Sequence, residues 1–132
     1  MILSADVSRH IVATAHTYIG KPYDFKMFDC VHFIMSVYRE VGIEIPRFGG
    51  SGFPPPDLNL SALEFEQMPL GQTVFFKRRT SPSSRIWTHM AIIASPSELI
   101  HCSRHFGNKV TITAKPEFME IYAHAMNTEP QP

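Results

Sequence analysis

Cys30 follows Asp29 at the point where apolar residues begin to recur with helical spacing, at Val31, Ile34, Val37, Tyr38 and Val41. Asp29 is a good N-cap, and Gly42 stands where the chain would leave the helix. A thiol in the first turn feels the positive end of the helix macrodipole and the neighbouring backbone N–H groups, which favour the thiolate. Such a position suits a nucleophile, and it equally suits a small core cysteine. The nucleophilic reading requires a base within hydrogen-bond reach and a third group to orient that base. Of the seven histidines, His89 and His101 lie in consecutive strand-like runs. In Trp87-Thr88-His89-Met90-Ala91-Ile92-Ile93, alternation puts His89 on the face of Ala91 and Ile93. In Glu98-Leu99-Ile100-His101-Cys102-Ser103, His101 shares a face with Leu99 and Ser103, and Cys102 goes to the other face as core.

The turn between the two runs sets how the histidines meet. A three-residue loop, Ala94-Ser95-Pro96, puts His89 directly opposite His101, with Cβ atoms about 4.5–5.5 Å apart. A two-residue loop at Ser95-Pro96 puts Cys102 opposite His89 and turns His101 away. Alternation leaves both registers open. The first gives a Cys–His–His arrangement.

The elements that must carry these residues follow from pattern and punctuation. Residues 4–19 read as an amphipathic helix with Val7, Ile11, Ala15, Tyr18 and Ile19 on one face, ended by Gly20 and Pro22. An extended link, Lys21-Pro22-Tyr23-Asp24-Phe25, leads into the Cys30 helix. Ile43-Glu44-Ile45-Pro46 then reads as a brief extended exit. Residues 47–59 hold three glycines and the run Pro54-Pro55-Pro56, which predicts a long, partly stiffened surface loop. A helical turn is expected at 61–67. Four strand-like runs follow at 73–77, 87–94, 98–103 and 109–113, with a fifth at 117–125. The polar loop at 77–85 carries Lys77, Arg78, Arg79 and Arg85, ordinarily a solvated set and alternatively a seat for carboxylates. Helices first and antiparallel strands after argue for an α+β fold.

Bulk properties narrow the function classes. The 132 residues suit one domain, and 44% hydrophobic with 18% charged residues describes an ordinary folded chain. Lysine plus arginine and aspartate plus glutamate balance at twelve each, so no electrostatic footprint for nucleic acid is present. No apolar run approaches the roughly 18–20 residues that span a bilayer. The first residues lack a basic segment followed by an apolar one, so the expected location is cytoplasmic, with export by a route that needs no signal peptide as the alternative. Two cysteines, at 30 and 102, make neither a disulfide framework nor a zinc pattern, and no cofactor or metal is expected.

The ordered set of motifs resembles the NlpC family of cell-wall cysteine endopeptidases, within the papain-like superfamily. Gly20, Pro22 and Tyr23 match that family's opening motif, and Asp29-Cys30 its nucleophile at a helix start. The helix runs on into Tyr38, Gly42-Ile43 and Pro46-Arg47 as the family's does. Gly71 through Phe75-Phe76 resembles the strand written there as Gly-Asp followed by aromatics. His89-Met90-Ala91-Ile92-Ile93 resembles its catalytic-histidine strand, and Ile100-His101-Cys102-Ser103 the next one, which carries the third catalytic residue. Order and spacing fit over residues 10–113. Val31-His32 stands in place of the usual Ser-Gly, Gln72 in place of the usual aspartate, and the link from Tyr23 to Cys30 lacks a double glycine.

The resemblance implies a papain-like α+β fold over residues 1–132, the nucleophile helix packed on an antiparallel β-meander of about five strands. It implies a Cys30 thiolate nucleophile, His89 as general base then acid, and His101 orienting His89. The Cys30 N–H would contribute to an oxyanion hole, and the Tyr23 hydroxyl either reaches the same site or packs. The implied substrate is an amide in a peptidoglycan stem peptide, of the γ-D-glutamyl–diamino acid type. An acyltransferase or deamidase with the same three residues is the second reading. A non-enzymatic binding module is the third.

Overall fold

Ser4 opens the chain's first helix by accepting a 3.2 Å hydrogen bond from the Val7 N–H, the N-cap role that serine favours. The computed structural model describes residues 4–43, 69–78 and 89–124. Within them, α1 spans Ala5–His16, α2 spans Cys30–Glu40, and a short α3 spans Lys115–Phe118. The strands are β1 (Thr73–Arg78), β2 (His89–Ser95), β3 (Glu98–Ser103), β4 (Lys109–Ala114) and β5 (Tyr122–His124). The expected exit at 44–46, the Gly/Pro loop at 47–59, the turn at 61–67 and most of the basic loop at 77–85 lie outside the described residues. Among those described, no helix is long and apolar enough to cross a membrane.

The fold is α+β, with α1 and α2 preceding the sheet and α3 set between its last two strands. All five strands pair antiparallel in the order β4-β3-β2-β1-β5. The first four make the expected meander. The fifth does not extend it: α3 carries the chain back across the sheet, and β5 pairs with the far edge of β1. Part of the run read as a strand at 117–125 is therefore helix, with Pro116 in its first turn, where its missing N–H costs nothing.

Alternation along the strands divides the core in two. Met90, Ile92, Ala94, Ile100, Cys102 and Val110 face α1 and α2 and pack on Ile11, Ala15, Phe33, Ile34, Val37 and Tyr38. Val74, Phe76, Ala91, Ile93 and Leu99 face the other way, onto Phe118 of α3. The buried side of α2 is wider than its apolar spacing implies, because Phe33 is also enclosed, edge-on to Tyr18 and Phe28. Ile19, expected on the buried face of α1, is 43% exposed. The helix ends at His16 and Gly20 turns left-handed at φ +95°, so the 3.6-residue phase no longer applies there.

Two sets of polar bonds hold the helices to the sheet. The Tyr38 hydroxyl donates to the Gly71 carbonyl at 2.8 Å and accepts from the Thr73 hydroxyl at 2.8 Å, all of it buried. Gly71 itself has φ +83°, and a Cβ there would meet the Ser8 carbonyl oxygen at 3.0 Å. At the opposite edge, residues 20–23 line β4: Gly20 N–H donates to Val110 O, Val110 N–H to Lys21 O, and Tyr23 N–H to Asn108 O, each at 2.9 Å. Tyr38→Phe deletes the junction while keeping the ring. Its expected cost is about 1–3 kcal/mol, because the Gly71 carbonyl and Thr73 hydroxyl are left buried with a partner fewer. Urea unfolding of the variant against the parent measures it.

Candidate active site

The approach to Cys30 is a tight reversal. Asp24 and Phe28 exchange backbone hydrogen bonds at 2.9 and 2.8 Å, while the Asp24 carboxylate accepts from the Lys26 and Met27 N–H groups. Asp29 then caps α2, its Oδ1 accepting from the N–H groups of Val31 and His32 at 3.0 Å each. The same oxygen bonds His32 Nδ1 at 2.8 Å. His32 thus belongs to the cap, and its ring serves the helix start.

Cys30 is the first residue of α2 and half-buried. The start of α2 lies across the ends of β2 and β3. The backbone N–H groups of Met90 in β2 and of Val31 act on the Cys30 sulfur in the direction that favours its anion. From β3, the Cys102 thiol donates to the Phe28 carbonyl at 3.7 Å. The β2–β3 ladder runs from Ser95/Glu98 to Ile92/Ile100, and Met90 lies beyond that last pair.

Burial and charge both weigh against the thiolate expected at Cys30. Desolvation is the larger effect and the Asp29 carboxylate the next, and together they push Cys30 up to about 12 despite the two N–H groups. A helix N-terminus amounts to about half a positive charge. A full carboxylate one residue away offsets it, and burial disfavours the anion further.

His89 and His101 meet on the sheet face away from α1 and α2. His89 Nε2 lies 2.9 Å from His101 Nδ1, and His101 Nε2 lies 2.9 Å from the Thr113 hydroxyl. Both rings are enclosed, His89 at 3% and His101 at 0% exposure, under Phe118 and, for His101, Phe106. Burial pulls His101 down to about 3 and His89 well below the usual imidazole range, the latter also through the neighbouring His101 and His105. Both are neutral imidazoles.

Neither expected register occurs. The turn is Pro96-Ser97, with Ser95 opposite Glu98, and an irregularity between Ile93 and Ser95 shifts the pairing to Ile92 with Ile100. Continued along the strands, that register sets His101 across from Ala91 and makes the two histidines diagonal neighbours. The shift from the three-residue-loop register is an even number of residues, so both rings keep one face.

Tyr23 is half-buried, and its phenol is raised first by burial and then by Cys30 and Asp29, with Arg104 acting in the opposite direction. It therefore stands within electrostatic reach of the thiol. Cys102 is wholly buried core, as alternation implied. Lys77 and Arg78 lie on β1, and Arg79 and Arg85 fall outside the described residues. Among the described residues, no group of three or more His, Cys, Asp or Glu side chains is gathered to hold a metal ion.

The sequence matches the NlpC/P60 family over residues 20–126, which includes Cys30, His89 and His101. The chain belongs to the NlpC/P60 family. Among solved structures, it is similar to NlpC1 from Trichomonas vaginalis, with a TM-score of 0.69 and 22% identity over 94% of this chain and 44% of that one. An NlpC/P60 family protein from Bacillus cereus ATCC 10987 gives 0.67 and 26% over 98% of this chain and 42% of that one. NlpC2 from Trichomonas vaginalis gives 0.68 and 17% over 95% and 46%. The chain thus spans less than half the length of these relatives. A comparison with curated proteins finds no match. NlpC/P60 proteins are generally hydrolytic cysteine peptidases and amidases of the papain-like superfamily.

For this NlpC/P60 chain, sequence reasoning missed Thr113, Phe106 and Phe118, which surround the histidine pair. Thr113 was legible as a strand residue on the face of Thr111, but its approach to His101 depends on the β3–β4 register, His101 with Thr111. The buried histidines also make folding pH-dependent. His101 has a folded pKa of about 3 against an ordinary 6.5. Between those values the unfolded chain binds a proton that the folded chain does not, so stability rises with pH. The contribution is complete above about pH 6.5 and is lost as the pH falls toward 3. Unfolding free energy from urea titrations is expected to decline from pH 7 to pH 4, and to decline less steeply in His101→Gln. A flat profile in the parent protein contradicts the neutral, buried pair.

Proposed function

We propose that this domain is a thiol hydrolase that cleaves an amide bond in a peptidoglycan stem peptide, with Cys30 as nucleophile, His89 as base and acid, and His101 orienting His89. The observation that carries the reading is the 2.9 Å His89–His101 hydrogen bond, next along β2 to Met90, whose backbone N–H acts on the Cys30 sulfur in the direction that favours its anion. With Nε2 of His89 committed to His101, exchange with the thiol falls to Nδ1. The thiol is protonated and His89 neutral, so no thiolate–imidazolium pair stands ready. Proton transfer from sulfur to Nδ1 accompanies attack on the carbonyl carbon. The carbonyl π pair moves to oxygen, and the oxyanion is met by backbone N–H at the start of α2. Collapse expels the amine, which takes its proton from His89. Water, deprotonated by the same imidazole, then hydrolyses the thioester and restores the Cys30 thiol. The role proposed for Tyr23 is contact with the substrate carbonyl or its flanking groups, supported by the electrostatic effect of Cys30 on its phenol.

A second reading, a binding module that has lost catalysis, draws on one specific observation: the Cys30 thiol is raised to about 12 rather than lowered. Incubation with purified murein fragments and with lipid and protein amides, read by mass spectrometry, separates the readings. The hydrolase reading expects a new amine and carboxylate from the murein fragment. It also expects at least a thousandfold loss of turnover in Cys30→Ala with unfolding still cooperative. Turnover retained by Cys30→Ala sinks the triad, and binding without any product supports the second reading.

A further inference from the structure

Both ring nitrogens of His101 are spoken for, Nδ1 by His89 and Nε2 by the hydroxyl of Thr113, each at 2.9 Å. His101 is 0% exposed and Thr113 5%. A neutral imidazole has one N–H and one lone pair, so its two bonds must run in the same direction along the chain of rings. If Thr113 donates to His101 Nε2, then His101 donates from Nδ1 and His89 carries its own proton on Nδ1. If Thr113 accepts, His101 donates from Nε2, His89 donates from Nε2, and Nδ1 of His89 holds the lone pair. The direction of one hydroxyl therefore decides which nitrogen of a ring two partners away is basic.

The surroundings of Thr113 favour acceptance. Thr113 also lines an open groove of about 460 Å³, with Phe106, Thr111 and Glu117, and His101 is not among the residues that line it. Solvent entering that groove would give the hydroxyl proton a partner, whereas the enclosed His101 Nε2 is bonded to Thr113 alone among the described residues. We infer that Thr113 is a positioning residue that accepts from His101 Nε2 and thereby fixes His89 in the tautomer able to take a proton at Nδ1. The inference deepens the thiol-hydrolase reading and rests on it for its consequence. The four-membered order becomes Cys30, His89, His101, Thr113.

Two-bond proton–nitrogen spectra of the ¹⁵N-labelled parent protein read the tautomers without any substrate. The expected result is Nε2–H for both His89 and His101; Nδ1–H on His101 overturns the inference outright. In Thr113→Val, which keeps the shape and removes the hydroxyl, the rings are expected to populate both tautomers. Alkylation of Cys30 by iodoacetamide near neutral pH should slow about tenfold relative to the parent protein, the scale of one lost hydrogen bond to a buried group. Thr113→Ser should restore both readings. Parent-like tautomers and alkylation in a folded Thr113→Val overturn the inference. If that variant does not fold, the parent spectrum and Thr113→Ser decide. Turnover by Cys30→Ala tests the hydrolase reading alone, so the two failures are distinguishable.

Discussion

The start of α2 reaches the sheet where β2 begins and β3 ends, and the rest of the structure is arranged to hold it there. The Met90 N–H of β2 acts on the Cys30 sulfur, and Cys102 of β3 gives its thiol proton to the Phe28 carbonyl. Two polar contacts of this kind are weak singly, so the position of the helix must be secured elsewhere. Tyr38, two turns along α2, is tied to Gly71 and Thr73 beside β1. Residues 20–23 are laid along β4, and the Asp24–Phe28 reversal takes up the short distance between that edge and the helix. A helix held near both ends and packed through Phe33, Ile34 and Val37 has little freedom to withdraw its first residue.

The electrostatics of the same place run against the simplest picture of a reactive cysteine. Position at a helix N-terminus favours a thiolate, yet Asp29, the residue that caps the helix so well, sets a negative charge beside it. The cap and the nucleophile compete for the same partial charge. Burial then weighs on the sulfur and on the two imidazoles in the direction of neutrality, acidic group up and basic groups down. Proton movement in the proposed chemistry is thus coupled to substrate arrival, and the bonds that orient the neutral rings matter more than their charge.

Those bonds lie on the sheet face opposite α1 and α2, under Phe118 and Phe106. The small α3 is what brings Phe118 there before β5 joins β1. A segment that reads from sequence as one more strand is instead the cover of the histidine pair. Its role is packing, and the packing is what removes water from His89 and His101.

Residue type and periodicity were enough to place Cys30 at a helix start, to put His89 and His101 on one face of neighbouring strands, and to send Cys102 into the core. These depend on local rules: a cap, a 3.6-residue repeat, a two-residue alternation. The same rules mispredicted the Pro96-Ser97 turn, yet the two histidines kept one face because the pairing moved by an even step. Tertiary structure alone decided the rest. That Thr113 ends the hydrogen-bond chain follows from β3–β4 register, that α3 covers the rings follows from chain reversal, and that Cys30 is a protonated thiol follows from desolvation beside Asp29. Each of these is a distance between residues far apart in the chain or a loss of water on packing, and neither quantity is written in local sequence.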